Sequence, residues 1–337
     1  MNKIPVFSIV FSIYFSASFV LAQPIDELIQ ECIFKTIKTT DTKKSLKQIE
    51  QGCEEAIVKE QFGAKSLGAV SERIIKERQS SLNPYVITPH KMNYILPFSI
   101  TEGINKEAYE GFSDWSENLK DIEAKFQISI KVPLTAGSLL NKGDQLFFGF
   151  TLESWWQLYT ETLSRPFRET NYQPEIFYFT PLSWHPFDTN SGVFFGFEHQ
   201  SNGRSQLISR SWNRVYANFI LEKDNFVFSF RPWFRIPEDN KLTNIDSSGD
   251  DNPDIDDYMG HFELGIVYDW LDDYEVSMKF RENFNQHHGS IELGLTFPLW
   301  GKLRGYAQYF NGYGESLIDY NYNQQRFGIG IALTDLL

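Results

Sequence analysis

The sequence predicts an all-β fold: a twelve-stranded antiparallel transmembrane β-barrel with a small N-terminal periplasmic α-helical segment. Three observations predict it. Behind Lys3, the run Ile4 to Leu21 is apolar and uncharged, and Val20-Leu21-Ala22 sets small residues where a signal peptidase reads, so cleavage is expected before Gln23. After Ala22 no apolar run reaches the roughly 18 residues a membrane helix needs. Yet Phe, Tyr and Trp make up 16% of the chain, and aromatic residues alternate with polar ones. An exported chain with this pattern and no spanning helix suits a barrel, because closure satisfies every backbone polar group in lipid. A secreted β-sandwich meets the same conditions less well.

The elements follow in order. Residues 1–22 are read as signal peptide, 23–89 as a periplasmic helical extension and 90–337 as an outer-membrane barrel. In the extension, Leu28, Ile29, Cys32, Ile33 and Ile37 recur at helical spacing, and Leu46, Ile49, Cys53 and Ile57 form a second stripe. A turn near Asp41–Thr42 would fold the two helices antiparallel and bring Cys32 opposite Cys53. These are the only two cysteines, and the compartment is oxidising, so a disulfide is expected.

From about Lys91 the period becomes two. Phe126, Ile128, Ile130 and Val132 form one apolar row; Leu146, Phe148, Phe150 and Leu152 form another. Phe226, Phe228 and Phe230 make a third, and Phe262, Leu264, Ile266 and Tyr268 a fourth. Roughly twelve such runs are expected, an even number as single-chain bacterial barrels require. Longer connections near 103–120, 159–169, 201–211, 237–257 and 312–324 should be outer loops. Those near 135–144, 183–190, 222–224, 271–273, 285–288 and 299–301 should be inner turns, although 135–144 and 285–288 fit that asymmetry poorly. The net charge of −13 argues against nucleic acid as a partner. The acidic loop Glu238 to Asp257 reads as a solvated surface able to take cations.

Candidate chemistry lies between Glu198 and Arg214. Val193, Phe195, Phe197, His199 and Ser201 share one strand face; Asn213, Val215, Ala217, Phe219 and Leu221 share one face of the next. That face is the lipid face. A hairpin centred on Gln206 places His199 opposite Asn213, with Ser201 two residues further on the same face, and rotamers could close the gap between Ser201 and His199. Nucleophile, base and orienter are then together, with Asn in the third role. A polar trio facing lipid is costly unless it acts on lipid.

At these residues the sequence resembles outer-membrane phospholipase A of Gram-negative bacteria, a calcium-dependent twelve-stranded barrel lipase. The runs that carry the resemblance are SWWQL (154–158), PFRETNY (166–172), HQSNGRS (199–205), SRSWNR (209–214), DDNPDI (250–255), YMGHF (258–262) and YGESLIDYN (313–321). The resemblance implies Ser201 as nucleophile, His199 as general base and Asn213 as its orienter. It implies an oxyanion contact from the Gly203 backbone N–H, and calcium (Ca2+) held by the Arg204 carbonyl, Ser209 and Ser164 of a partner subunit. Asp251 matches a carboxylate that binds calcium in the single subunit. Homodimerisation along the lipid faces is implied as the activating step, with membrane phospholipids as substrate at the outer leaflet, through phospholipase A1 and A2 activity. Leu152 stands where the family has a glutamine on the dimer face, and Gln206 where it has an aspartate. The competing reading is a passive barrel, a small porin or structural protein.

Overall fold

The computed structural model describes residues 25–39, 45–62, 68–80, 86–111, 113–135, 137–162, 164, 166–241, 243, 249–271, 274–301 and 303–334. The expected signal peptide, the turn at Asp41–Thr42 and the Gln206 side chain lie outside them.

After a short strand, β1 (Thr88–Pro89), come β2 (Tyr94–Thr101), β3 (Ile122–Pro133), β4 (Gln145–Trp156), β5 (Phe167–Leu182) and β6 (Asn190–Ser201). They are followed by β7 (Ser211–Lys223), β8 (Phe226–Ile236), β9 (Phe262–Trp270), β10 (Tyr274–Asn283), β11 (His288–Trp300), β12 (Leu303–Gly312) and β13 (Gln324–Ala332). Each strand from β2 onward pairs antiparallel with its successor, and β13 pairs with β2, so twelve strands close on themselves. Strand β1 lies outside this ring, paired to β3.

The alternation predicted from sequence faces the side it should. Ile128, Val132, Phe148, Phe226, Phe230 and Tyr268 point outward and are exposed, as a lipid-facing band must be. Val193 departs from its row: it is only 3% exposed. Ser191 and Lys223 on that face hydrogen-bond the carbonyls of Trp184 and Phe187, so the 183–189 turn folds back over it. The connection 284–287 falls at the long-loop end although it is short, and 134–144 at the short-turn end although it is long.

The lumen is filled rather than open. Lys125 bridges Glu153 and Glu315 at 3.1 and 3.0 Å. Arg168 joins Glu123 and Asp319, and Arg326 joins Glu123 and Glu315. These side chains are buried, so they are tolerable only because each charge meets an opposite one. Beside them an apolar cluster of Phe177, Trp212, Tyr216, Trp233, Ile255 and Met259 fills the interior toward the long loops. A cavity of about 400 Å³ remains toward the other end.

Three helices precede the barrel: α1 (Ile25–Thr39), α2 (Leu46–Phe62) and α3 (Ala69–Ser80). Cys32 and Cys53 form a disulfide between α1 and α2, with Cα atoms 5.7 Å apart. Ile29, Ile57 and Ile75, one from each helix, make their shared core. The third helix had no clear stripe in the sequence, and its environment explains it. It lies across the short-turn end of the barrel: the Glu222 carboxylate accepts from the N–H groups of Val70 and Ser71. Arg73 donates to the carbonyls of Pro89 and His90, and Lys131 pairs with Glu77 at 2.7 Å. Arg73 and Glu77 are therefore anchors to the barrel, while Glu72 and Lys76 face solvent.

Candidate active site

The β6–β7 hairpin has the register expected of it. His199 faces Asn213, and Ser201 faces Ser211 on β7 and Tyr172 on β5. The outward neighbours Phe195 and Phe197 are 50% and 44% exposed, while Glu198 and Gln200 on either side of His199 are buried in the lumen. His199, Ser201 and Asn213 therefore sit on the apolar outer wall, near its long-loop end. In register across the sheet, Ile128, Leu152, Tyr172 and Ser201 form one outward row. Between the Tyr172–Ser201 and Glu175–Glu198 pairs two positions of the ladder are unpaired. Pro174 lies there and has no N–H to give.

His199 Nδ1 lies 2.9 Å from Asn213 Oδ1. If Nδ1 carries the proton, it donates to the amide oxygen and leaves Nε2 as a base. The Ser201 hydroxyl makes no side-chain hydrogen bond among the described residues. The expected Ser201–His199 hydrogen bond is thus not made, and catalytic contacts of this kind commonly tighten only on the way to the transition state.

The 202–210 loop is pinned by a residue that sequence reasoning missed. Asn202 Oδ1 accepts from the N–H groups of Arg204 and Arg210, at 3.2 and 3.0 Å, and its Nδ2 donates to the Ile208 carbonyl at 2.8 Å. This fixes the turn that carries Gly203, whose φ of +62° is left-handed. A Cβ there would also come within 3.2 Å of the Tyr172 ring.

The calcium candidates are only partly gathered. The Ser209 hydroxyl donates to Asp251 Oδ2 at 2.6 Å, with the Ser211 hydroxyl 3.5 Å away. Lys241 makes an ion pair with the other oxygen of Asp251. Ser164 is exposed in the 157–166 connection and joins neither Ser209 nor Asp251 by a hydrogen bond. The acidic loop is not the open anionic surface expected of it. Asp250 accepts from Arg235 and from the Asn252 N–H, Asp251 is held by Lys241, and Glu238 accepts from Asn213 at 2.9 Å. Burial raises the Asp256 carboxyl above its usual range, with Arg235 pulling the other way.

Glu238, like Asn202, was missed in the sequence, though a signal existed. The Asp224–Asn225 turn sets β7 against β8 so that Asn213 faces Ile236. Two residues on, position 238 returns to the same face.

Comparison with known proteins decides the family. The phospholipase A1 family model matches residues 70–333. The chain belongs to the phospholipase A1 family. Phospholipase A1 of Escherichia coli K12 is 40% identical over 289 residues, 84% of this chain and 93% of that one. The Klebsiella pneumoniae phospholipase A1 is 41% identical over 261 residues, 75% of this chain and 84% of its own. The outer membrane phospholipase A structure from E. coli superposes with a TM-score of 0.69 at 40% identity, covering 75% of this chain and all of that one. A Salmonella typhi outer membrane phospholipase dimer with bound calcium gives 0.69 at 39% identity, covering 76% and 94%. The chain is accordingly an outer-membrane barrel phospholipase, a carboxylic ester hydrolase. The passive-barrel alternative falls with that finding.

Proposed function

We propose that the chain hydrolyses acyl esters of phospholipids and lysophospholipids, at either glycerol position, with Ser201, His199 and Asn213 as its triad. The observation that carries this reading is the His199–Asn213 hydrogen bond on the outer wall, two residues from Ser201. A solved E. coli relative is an asparagine-to-alanine active-site mutant, which supports an asparagine in the third role. The placement suits the substrate: an acyl chain in the bilayer runs beside this wall, and its ester lies where the wall ends. The long-loop end would face the outside, placing the triad near the outer leaflet and the three helices in the periplasm.

In the reaction, the Ser201 hydroxyl attacks the ester carbonyl while His199 Nε2 takes its proton. His199 then returns a proton to the leaving alcohol, and water repeats the sequence on the acyl-serine. The Gly203 N–H is positioned by the Asn202 bonds to serve the developing oxyanion.

Calcium favours oxygen ligands. The Arg204 carbonyl and the Ser209 hydroxyl are of that kind, and with Ser164 of a second copy they would hold the ion. Bound there, it would stabilise negative charge at the oxyanion. A single-chain site on Asp251 does not fit, because the Lys241 ammonium already neutralises that carboxylate. Activity therefore requires two copies joined along their lipid faces, where the row of Ile128, Leu152 and Tyr172 beside Ser201 is apolar.

The test measures fatty-acid release from phospholipid vesicles. Ser201→Ala and His199→Ala are expected to abolish release, Asn213→Ala to reduce it less, and a calcium chelator to stop it. Full activity in Ser201→Ala would overturn the assignment.

A further inference from the structure

We propose that Glu238 is a positioning residue for the triad: its carboxylate fixes the orientation of the Asn213 amide and supplies the charge that asparagine lacks. The inference rests on the triad reading above and extends it by one residue.

An asparagine in the third role has a problem that an aspartate lacks. Its side chain ends in one acceptor and one donor, and only the acceptor suits a protonated His199 Nδ1. Rotating the amide by half a turn would face its NH₂ to the imidazole and disfavour the tautomer that leaves Nε2 basic. Something must make the two orientations unequal. Glu238 Oε1 lies 2.9 Å from Asn213 Nδ2, and His199 Nδ1 lies 2.9 Å from Asn213 Oδ1 on the other side. An ionised carboxylate can only accept, so it holds the NH₂ on its own side and leaves the oxygen for His199. The orientation thus follows from the chemistry of the neighbours, whichever way the amide is drawn.

The second consequence is electrostatic. Asn213 is neutral, so it stabilises the imidazolium formed during attack less than a carboxylate does. Glu238 restores a negative charge one hydrogen bond further out, and its pull on the NH₂ polarises the amide oxygen toward His199.

The fold explains why Glu238 is there. Ile236 is the β8 residue opposite Asn213, and the ladder stops beside Pro237. Past it, Asn240 bridges Asp250, holding the segment against the outer loop. Glu238 is therefore caught between the strand end and this bridge and is half-buried.

The test uses the purified, folded protein with calcium in mixed phospholipid micelles, with folding of each variant checked by its heat-modifiable migration. Glu238→Ala is expected to lower kcat about tenfold with KM nearly unchanged. Glu238→Gln, which can still accept, should lower it less. In an Asn213→Asp background the sign reverses. Two facing carboxylates repel there, so Asn213→Asp alone should be poor, and adding Glu238→Gln, whose amide can donate to the new carboxylate, should recover activity. A purely structural Glu238 would not produce that reversal. Should Glu238→Ala fail to fold, Glu238→Gln and the double variant carry the test. Unchanged kcat in the Glu238 variants, with Asn213→Ala impaired, would overturn the proposal and leave the triad standing. An active Ser201→Ala would overturn both.

Discussion

At the scale of single residues, the site depends on backbone positions as much as on reactive side chains. Gly203 combines a left-handed φ with a Tyr172 ring that would stand 3.2 Å from any added Cβ. Gly203→Ala is therefore expected to cost about 1–2 kcal/mol locally. The loop would relieve that strain by turning its N–H away from the oxyanion. The expected outcome is a kcat lowered about tenfold with the barrel still folded, read from lipid turnover and gel migration; wild-type kcat would refute the oxyanion role. His199, Ser201 and Asn213 were legible in the sequence because a symmetric hairpin and strict two-residue parity suffice to place them. Glu238 was not, although the Asp224–Asn225 turn encodes its position by the same arithmetic. Its charge sat in an acidic run, and such a run reads first as solvated surface.

At the scale of elements, the 237–261 connection sets the charges beside the site. It brings Glu238 to Asn213 and Lys241 to Asp251, two contacts of opposite sign within four residues. Lys241 is in effect a tethered cation. Lys241→Met should free the carboxylate and raise calcium affinity in the single subunit. Titration calorimetry on detergent-dispersed monomer, with Asp251→Asn as the control that abolishes the gain, would show it. Equal affinity in wild type and Lys241→Met would mean that the ammonium does not compete. The strands themselves were readable, since each carries its own alternation. What was not readable was tertiary: Val193 is covered by the 183–189 turn folding back over its strand, and α3 meets four separate strands or turns through hydrogen bonds and an ion pair. A helix's own pattern cannot announce partners such as Gly143 for Arg78, 65 residues on, or Glu222 for Val70, 152 residues on.

At the scale of the whole molecule, the barrel is closed twice over. Buried ion pairs among Glu123, Lys125, Arg168, Glu315, Asp319 and Arg326 fill it toward the long loops, and α3 lies across the other end. Intact protein in a planar bilayer is expected to pass no measurable ion current. Removing residues 25–80 should leave it silent, because the ion-pair layer is independent of the helices. Stepwise conductance in either form would show that the layer opens. Length, aromatic content and alternation announced a barrel, but they do not distinguish a full lumen from an empty one. Inward charges suit both a wet channel and a paired core, and only their mutual distances separate the two. This closure at both ends has a physiological corollary. The outer membrane can store many copies of such a hydrolase without loss of its permeability barrier. If pairing of two copies is the activating step, as proposed above, its abundance is limited by the need to keep subunits apart, not by leakage.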